Sequence, residues 1–168
     1  RDSDPGFLVT RACIENGIEV EALPGATAFV PALTMSGLPS DRFCFEGFIP
    51  QKKGRQTRIR EVAENPVTSI TYESPYRLLK LLESLKEFAG GLRRAAVCRE
   101  ISKIHSECRR GTLHELVSWF TEVEPKGEIV VILEGKENGK DEEKDLGKDE
   151  FLEKRDGKLR RKEKKGEI

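Results

Sequence analysis

Apolar positions along the chain follow two spacings in turn, one with the three-to-four-residue recurrence of a helix face and one nearly continuous over five or six residues, as in a strand. Phe7, Leu8, Ala12 and Ile14 follow Asp4-Pro5, where proline suits a first helical turn, and Asn16-Gly17 ends the pattern. Ile18 to Leu23 predicts a strand. Thr27 is placed to cap a second helix with an apolar face of Val30, Leu33 and Met35, ending near Ser36-Gly37-Leu38-Pro39. Beyond that proline the pattern predicts a strand from Arg42 to Phe48, a basic helix from Gly54 to Glu64 and a strand from Val67 to Tyr72. An amphipathic helix from Pro75 to Phe88, a strand from Ala95 to Glu100, a helix from Leu113 to Val123 and a buried strand from Glu128 to Leu133 complete it. Leu113, Leu116, Trp119 and Phe120 share helical spacing and read as core. Strands separated by helices of this length predict an α/β layered domain, with a boundary at Leu38 to Asp41.

Charge changes this picture at one end. Residues 1 to 133 hold 18 Lys+Arg against 18 Asp+Glu, whereas residues 134 to 168 hold 12 against 12 with few branched or aromatic residues. Such a tail buries too little area to offset ordering entropy, so disorder is expected, with transient helix from Lys148 to Lys165. Cys13, Cys44, Cys98 and Cys108 are scattered without a Cys-x-x-Cys pair or a histidine cluster, which argues for reduced thiols and against a metal site. No apolar run approaches the roughly 20 residues of a membrane span, so a soluble cytoplasmic protein is expected.

Four stretches carry candidate chemistry. Leu23-Pro-Gly-Ala-Thr lies between a predicted strand and a helix, where glycine permits close backbone approach to a ligand; by itself such a stretch is more often a simple turn. Tyr72-Glu-Ser-Pro-Tyr-Arg77 ends a strand and opens a helix, with Ser74 suited to the N-cap and Pro75 to the first position; Glu73 and Arg77 form either a local ion pair or part of a pocket. Arg99-Glu-Ile-Ser-Lys103, with His105 and Glu107 after it, gathers polar groups at a strand end, where Glu100, Lys103 or His105 could act as a base or polarise a hydroxyl. Residues 52 to 60 hold Lys52, Lys53, Arg55, Arg58 and Arg60 without an acid, which suits either a solvated face or phosphate contacts.

The order and spacing of Leu23-Pro-Gly-Ala-Thr-Ala28, Phe45-Glu-Gly-Phe-Ile-Pro50, Tyr72-Glu-Ser-Pro-Tyr-Arg77 and Arg99-Glu-Ile-Ser-Lys103 resemble the ribosomal RNA small-subunit methyltransferase I family, a branch of the tetrapyrrole methylase superfamily. The resemblance runs from about Ser3 to Leu133, with Ser102 in place of a usual threonine. It implies an S-adenosylmethionine-dependent methylation of a cytidine ribose 2′-oxygen in small-subunit ribosomal RNA, by an enzyme that is homodimeric in the family. It also implies a two-domain plan in which residues 1–38 are a remnant of the first domain, 39–133 a complete second αβα-layered domain and 134–168 the charged tail. The family's glycine-rich and Asp-x-Gly-Thr-Pro loops have no counterpart here, so the expectation is an N-terminally truncated member with little or no activity alone, its orphaned N-terminal segment leaving apolar surface exposed.

On this resemblance Pro24, Gly25, Thr27, Ala28, Tyr72, Glu73 and Gly127 are expected to bind the cofactor, and Glu73, Glu100 and Lys103 to serve catalysis. Lys52, Lys53, Arg55, Arg58, Arg77 and Arg99 are expected to contact RNA. The rival expectations are a noncatalytic RNA-binding or scaffold fragment and, less favoured, a tetrapyrrole methylase, since the 52–60 stretch suits phosphate better than a macrocycle bearing carboxylates.

Overall fold

The computed structural model describes residues 5–136 and centres on one five-stranded sheet. The strands are β1 (Phe43–Phe48), β2 (Thr68–Glu73), β3 (Arg94–Arg99), β4 (Glu107–Thr112) and β5 (Ile129–Leu133), and the helices α1 (Pro5–Glu15), α2 (Phe29–Ser36), α3 (Arg55–Glu64), α4 (Pro75–Ala89) and α5 (Leu113–Glu122). The sheet order is β1-β2-β5-β3-β4; β1 and β2 run parallel across the α3 crossover, and every other neighbouring pair is antiparallel.

β5 lies at the centre and all five of its residues are buried. Their alternation divides the core: Ile129, Val131 and Leu133 face a cluster built with Ile59 and Val62 of α3, Leu78, Leu81, Leu82 and Leu85 of α4, and Leu113, Leu116 and Phe120 of α5. Val130 and Ile132 face the other side, where Ala32 and Leu33 of α2 pack with Ile70, Ala96 and Cys98. The layered α/β arrangement thus has three helices on one face and α2 on the other. Two weak thiol hydrogen bonds help to seat α2, from Cys98 Sγ to the Ala32 carbonyl and from Cys108 Sγ to that of Met35, each 3.7 Å. The Cys108 side chain and burial together push the Cys98 thiol well above the usual thiol range.

Several local expectations need correction. Ile18 to Leu23 forms no strand, because no other segment among the described residues pairs with it and an unpaired strand leaves its backbone groups unmatched. α2 is capped at Ala28, not Thr27, with no side-chain bond, and it buries Ala32, Leu33 and Ser36 while Val30 is exposed. The hydrophobic pattern does not predict β4: Glu-Cys-Arg-Arg-Gly-Thr lacks an apolar run because it is an edge strand paired only to β3. α5 begins with a reciprocal capping box between Thr112 and Glu115. Trp119 is not core; it lies outward beneath the Arg109 guanidinium, 3.3 Å from ring centre to charge.

On α1 and after it, Phe7, Leu8, Val9, Ile14 and Leu23 are all exposed, whereas α2, expected to be orphaned in the same N-terminal segment, instead packs on the sheet through Ala32 and Leu33. The expected tail disorder and the helix at 148–165 lie outside the described residues. Among the described residues no helix is long and apolar enough to cross a membrane.

Truncating Leu82, which is fully buried on α4 between sheet and helices, should lower stability by about 2–5 kcal/mol in urea unfolding, whereas Phe7→Ala on exposed α1 should change it by under about 0.5 kcal/mol.

Candidate functional site

Where β2 ends and β5 begins, the two strands' adjoining ends open into a cleft of about 430 Å³. Its walls are Ala28, Phe48, Tyr72, Glu73, Ser74, Pro75, Gly127, Glu128, Ile129 and Val130. The fold places these residues together for separate reasons. The N-terminus of α2 brings Ala28, Pro75 at the first position of α4 turns the chain off β2, and Gly127 turns it into β5. A wider depression of about 660 Å³ over β4 and α5 is lined by Arg109, His114 and Trp119 among others and by none of the expected site residues.

Glu73 anchors the cleft floor. Its side chain is 2% exposed; Oε1 accepts from the Ser74 backbone N–H and from Arg77 Nε, both at 2.8 Å, and Oε2 lies 3.5 Å from Arg55 Nη1. The amide of the N-cap residue, Ser74, is therefore satisfied by the preceding glutamate, and the Ser74 hydroxyl makes no cap bond to α4. Arg55 is a correction to the expected RNA contacts, because it is buried at 8% exposure with Nη1 directed to Glu73 and to the Pro50 carbonyl at 3.4 Å. Arg55 Nη2 and Glu73 Oε2 are both buried without a hydrogen-bond partner. A buried carboxylate between two guanidiniums fixes α3 and α4 to the end of β2, since removing one partner would strand the other's charge. Arg77 is half-buried and held by the same carboxylate.

Glu100 sits behind Gly127. Its backbone N–H donates to the Glu128 carbonyl at 3.0 Å, while its Oε1 accepts the Glu128 N–H at 2.9 Å and Lys103 Nζ at 3.1 Å. Lys103 also reaches Glu128 at 3.3 Å. The Glu128 amide, with help from Lys103, holds the Glu100 carboxyl below the usual carboxylate range, and the two glutamates hold the Lys103 ammonium above its own. Glu100 and Ser102 take left-handed φ values of 50° and 65°, a conformation that few residues other than glycine adopt. A Cβ on Gly127, at φ 86°, would overlap the Glu100 side chain. Of the three residues expected to serve catalysis, Glu73 lines the cleft, whereas Glu100 and Lys103 do not.

Of the expected cofactor residues, the fold gathers Ala28, Tyr72, Glu73 and Gly127 in the cleft. Pro24, Gly25 and Thr27 are exposed in the irregular segment before α2 and are not among its walls. Among the expected RNA contacts, Lys52 and Lys53 are exposed, Arg58 is paired with Glu46 and Glu61, and Arg99 is paired with Glu107. His105 is exposed in the turn that follows Glu100. Phe48, a wall residue, was read in the sequence only as part of a phrase; the signal that marks it is the Gly47 that precedes it. Among the described residues no cluster of His, Cys, Asp and Glu could hold a metal ion.

Residues 3–117 match the family model of tetrapyrrole (corrin/porphyrin) methylases. Proteins named ribosomal RNA small subunit methyltransferase I are 46% identical over 134 residues in Mycobacterium tuberculosis and in Synechocystis, and 43% over 150 residues in Escherichia coli O157:H7. Those alignments cover 79%, 79% and 88% of this chain and 47%, 48% and 51% of the relatives, so the chain spans about half their length. Among solved structures, the methyltransferase CobJ superposes with a TM-score of 0.57 at 22% identity, over 79% of this chain and 59% of its own. A uroporphyrin-III C-methyltransferase from Thermus thermophilus, complexed with S-adenosylhomocysteine, gives 0.55 at 18% identity, over 79% and 60%.

Gly127→Ala should lower stability through both the left-handed backbone and the Glu100 overlap, by about 1–3 kcal/mol. In a Glu100→Ala background, which itself loses the bonds to the Glu128 amide and Lys103, the same substitution should cost only the backbone's share, which thermal melts of both single variants and the double variant will separate.

Proposed function

Because the chain belongs to the tetrapyrrole (corrin/porphyrin) methylase family, we propose that it serves S-adenosylmethionine-dependent methylation of small-subunit ribosomal RNA at a cytidine ribose 2′-oxygen. The observation that carries this reading is the coincidence of the cleft with the phrases that resemble the ribosomal RNA enzymes: Tyr72-Glu-Ser-Pro, Phe48 and Ala28 all line it. Relatives at 43–46% identity that bear that name support the RNA substrate over a macrocycle.

The cleft suits the cofactor by size and lining. About 430 Å³ lies within the usual range for small-molecule sites, and its walls are largely apolar, with Tyr72 and Ser74 among the residues that bring polar groups. Ala28, Tyr72, Ser74 and Gly127 would hold the group, Gly127 by letting main chain come close. When bound, S-adenosylmethionine supplies an electrophilic methyl on sulfur, and the protein's task is to place the acceptor oxygen in line with it.

Positioning is what these residues do. Glu73 fixes the β2–α4 turn from below, and Glu100 with Lys103 fixes the Gly127–Glu128 turn from behind. A carboxyl held below its ordinary range is a weak base, so we assign Glu100 and Lys103 to positioning instead of proton transfer. We further propose that the described cleft supplies part of the cofactor site, that turnover needs sequence equivalent to the rest of the relatives' length, and that assembly as a homodimer belongs with the complete enzyme.

Two measurements test this. Calorimetric titration with S-adenosylhomocysteine should show binding to the 168-residue chain that Ala28→Trp, which fills one end of the cleft, reduces at least 10-fold. Radiolabelled methyl transfer to unmethylated small subunits should be at background for the chain alone. Full-rate transfer would overturn the partial-site reading, and S-adenosylhomocysteine affinity unchanged in Ala28→Trp would overturn the cleft as the cofactor's place.

A further inference from the structure

β1 is an edge strand whose alternation is broken once, and the break gathers aromatic rings beside the cleft. The register runs Phe43, Cys44 and Phe45 against Thr68, Ser69 and Ile70, then skips Glu46, so that Gly47 and Phe48 oppose Thr71 and Tyr72. Gly47 takes φ 63° to make this bulge. In a regular strand Phe45 and Phe48 would point to opposite faces. Here both rings meet Tyr72, Phe45 edge-on at 5.2 Å and Phe48 tilted at 5.6 Å. The extra residue, Glu46, is turned to the other face, where its buried carboxylate pairs with Arg58.

The rings form a continuous strip. From Phe43 it passes through Phe29 at 6.3 Å to Phe45 at 4.7 Å, then through Tyr72 to Phe48. Phe43, Phe45 and Phe48 are 42%, 45% and 60% exposed. Only Phe48 and Tyr72 touch the cleft, so the strip extends beyond what a ligand inside it would cover. Four residues after Phe48, the chain presents Lys52 and Lys53 on the exposed turn before α3.

We propose that this strip is a stacking platform for the unpaired bases of single-stranded RNA, with Phe48 beneath the base nearest the cleft and Lys52 and Lys53 on the adjoining phosphates. The proposal rests on the RNA reading above and adds the class of ligand that the β1 edge takes. Aromatic faces with a neighbouring cationic turn suit single strands, because every base offers a π-face and each phosphate a charge. A duplex, whose bases are already stacked, would leave the rings uncovered.

The test is fluorescence anisotropy of the 168-residue chain with a labelled hexanucleotide of single-stranded RNA and with an abasic ribose–phosphate strand of equal length. The platform predicts that wild type prefers the base-bearing strand. Phe48→Leu should weaken that strand about 5- to 150-fold, leave the abasic strand unchanged and keep the salt dependence, and Phe48→Tyr should retain affinity. Lys52→Ala with Lys53→Ala should weaken both strands and flatten the salt slope by about 1.4. Equal loss on both strands in Phe48→Leu would overturn the platform. So would unchanged RNA affinity, whether accompanied by weaker S-adenosylhomocysteine binding, which would give the ring to the cofactor, or by altered sedimentation, which would give it to a second copy of the chain. If wild type binds neither strand at any salt concentration, the RNA reading itself fails, whereas a null effect of Phe48→Leu on a binding protein removes only the platform.

Discussion

Ile129 to Leu133 has no face toward water, and a strand in that position obliges the rest of the chain to cover it twice. One side is met by α3, α4 and α5 with their apolar faces. The other is met by α2, a helix of eight residues lying against Val130, Ile132, Ala96 and Cys98. The two coverings set where the cleft can be. Seating α2 on β5 brings Ala28 to the opening, and the start of β5 delivers Gly127 and Glu128 to it. A site between them is a by-product of closing both sides of a central strand.

Charged residues then brace that opening, Glu73 from within its walls and Glu100 from outside them. Glu73 and Glu100 are both acids at strand ends, yet they work in different surroundings. Glu73 is buried between Arg55 and Arg77 and joins three elements, so its contribution is to rigidity. Glu100 remains partly open to solvent and satisfies a backbone amide at a turn that glycine alone fits. In both cases the carboxylate is bonded to the loop that shapes the cleft, whose walls are otherwise largely apolar. Such a site selects by shape and by where it places an oxygen.

The layered fold was legible because its signals are strong and local: the leucine spacing of α4, the apolar run of β5 and the proline at the head of α4 agree with one another. What escaped was decided by partners distant in sequence. Ile18 to Leu23 has the composition of a strand and no neighbour to pair with, while β4 has a polar composition and acquires its identity from β3. The cleft residues Tyr72, Glu73 and Gly127 were reachable from turn chemistry, but Pro24, Gly25 and Thr27 were placed by the same reasoning and lie outside. Arg55 shows how a composition count misleads. Within an acid-free basic run it looks like its neighbours, although its spacing to Ile59 and Val62 puts it on the buried face of α3. Phe48 required the register shift at Gly47, which no periodicity reports.

Cys98 offers a different view of the covering helix. Its sulfur lies under α2, fully buried and bonded to the Ala32 carbonyl, and its thiol resists ionisation where it sits. Only thiolate reacts at an appreciable rate, so a soluble alkylating reagent meets an inert group as long as α2 stays docked. The speed at which Cys98 is labelled is thus a clock for the undocking of α2, and hence for how often the wall carrying Ala28 comes away from the central strand.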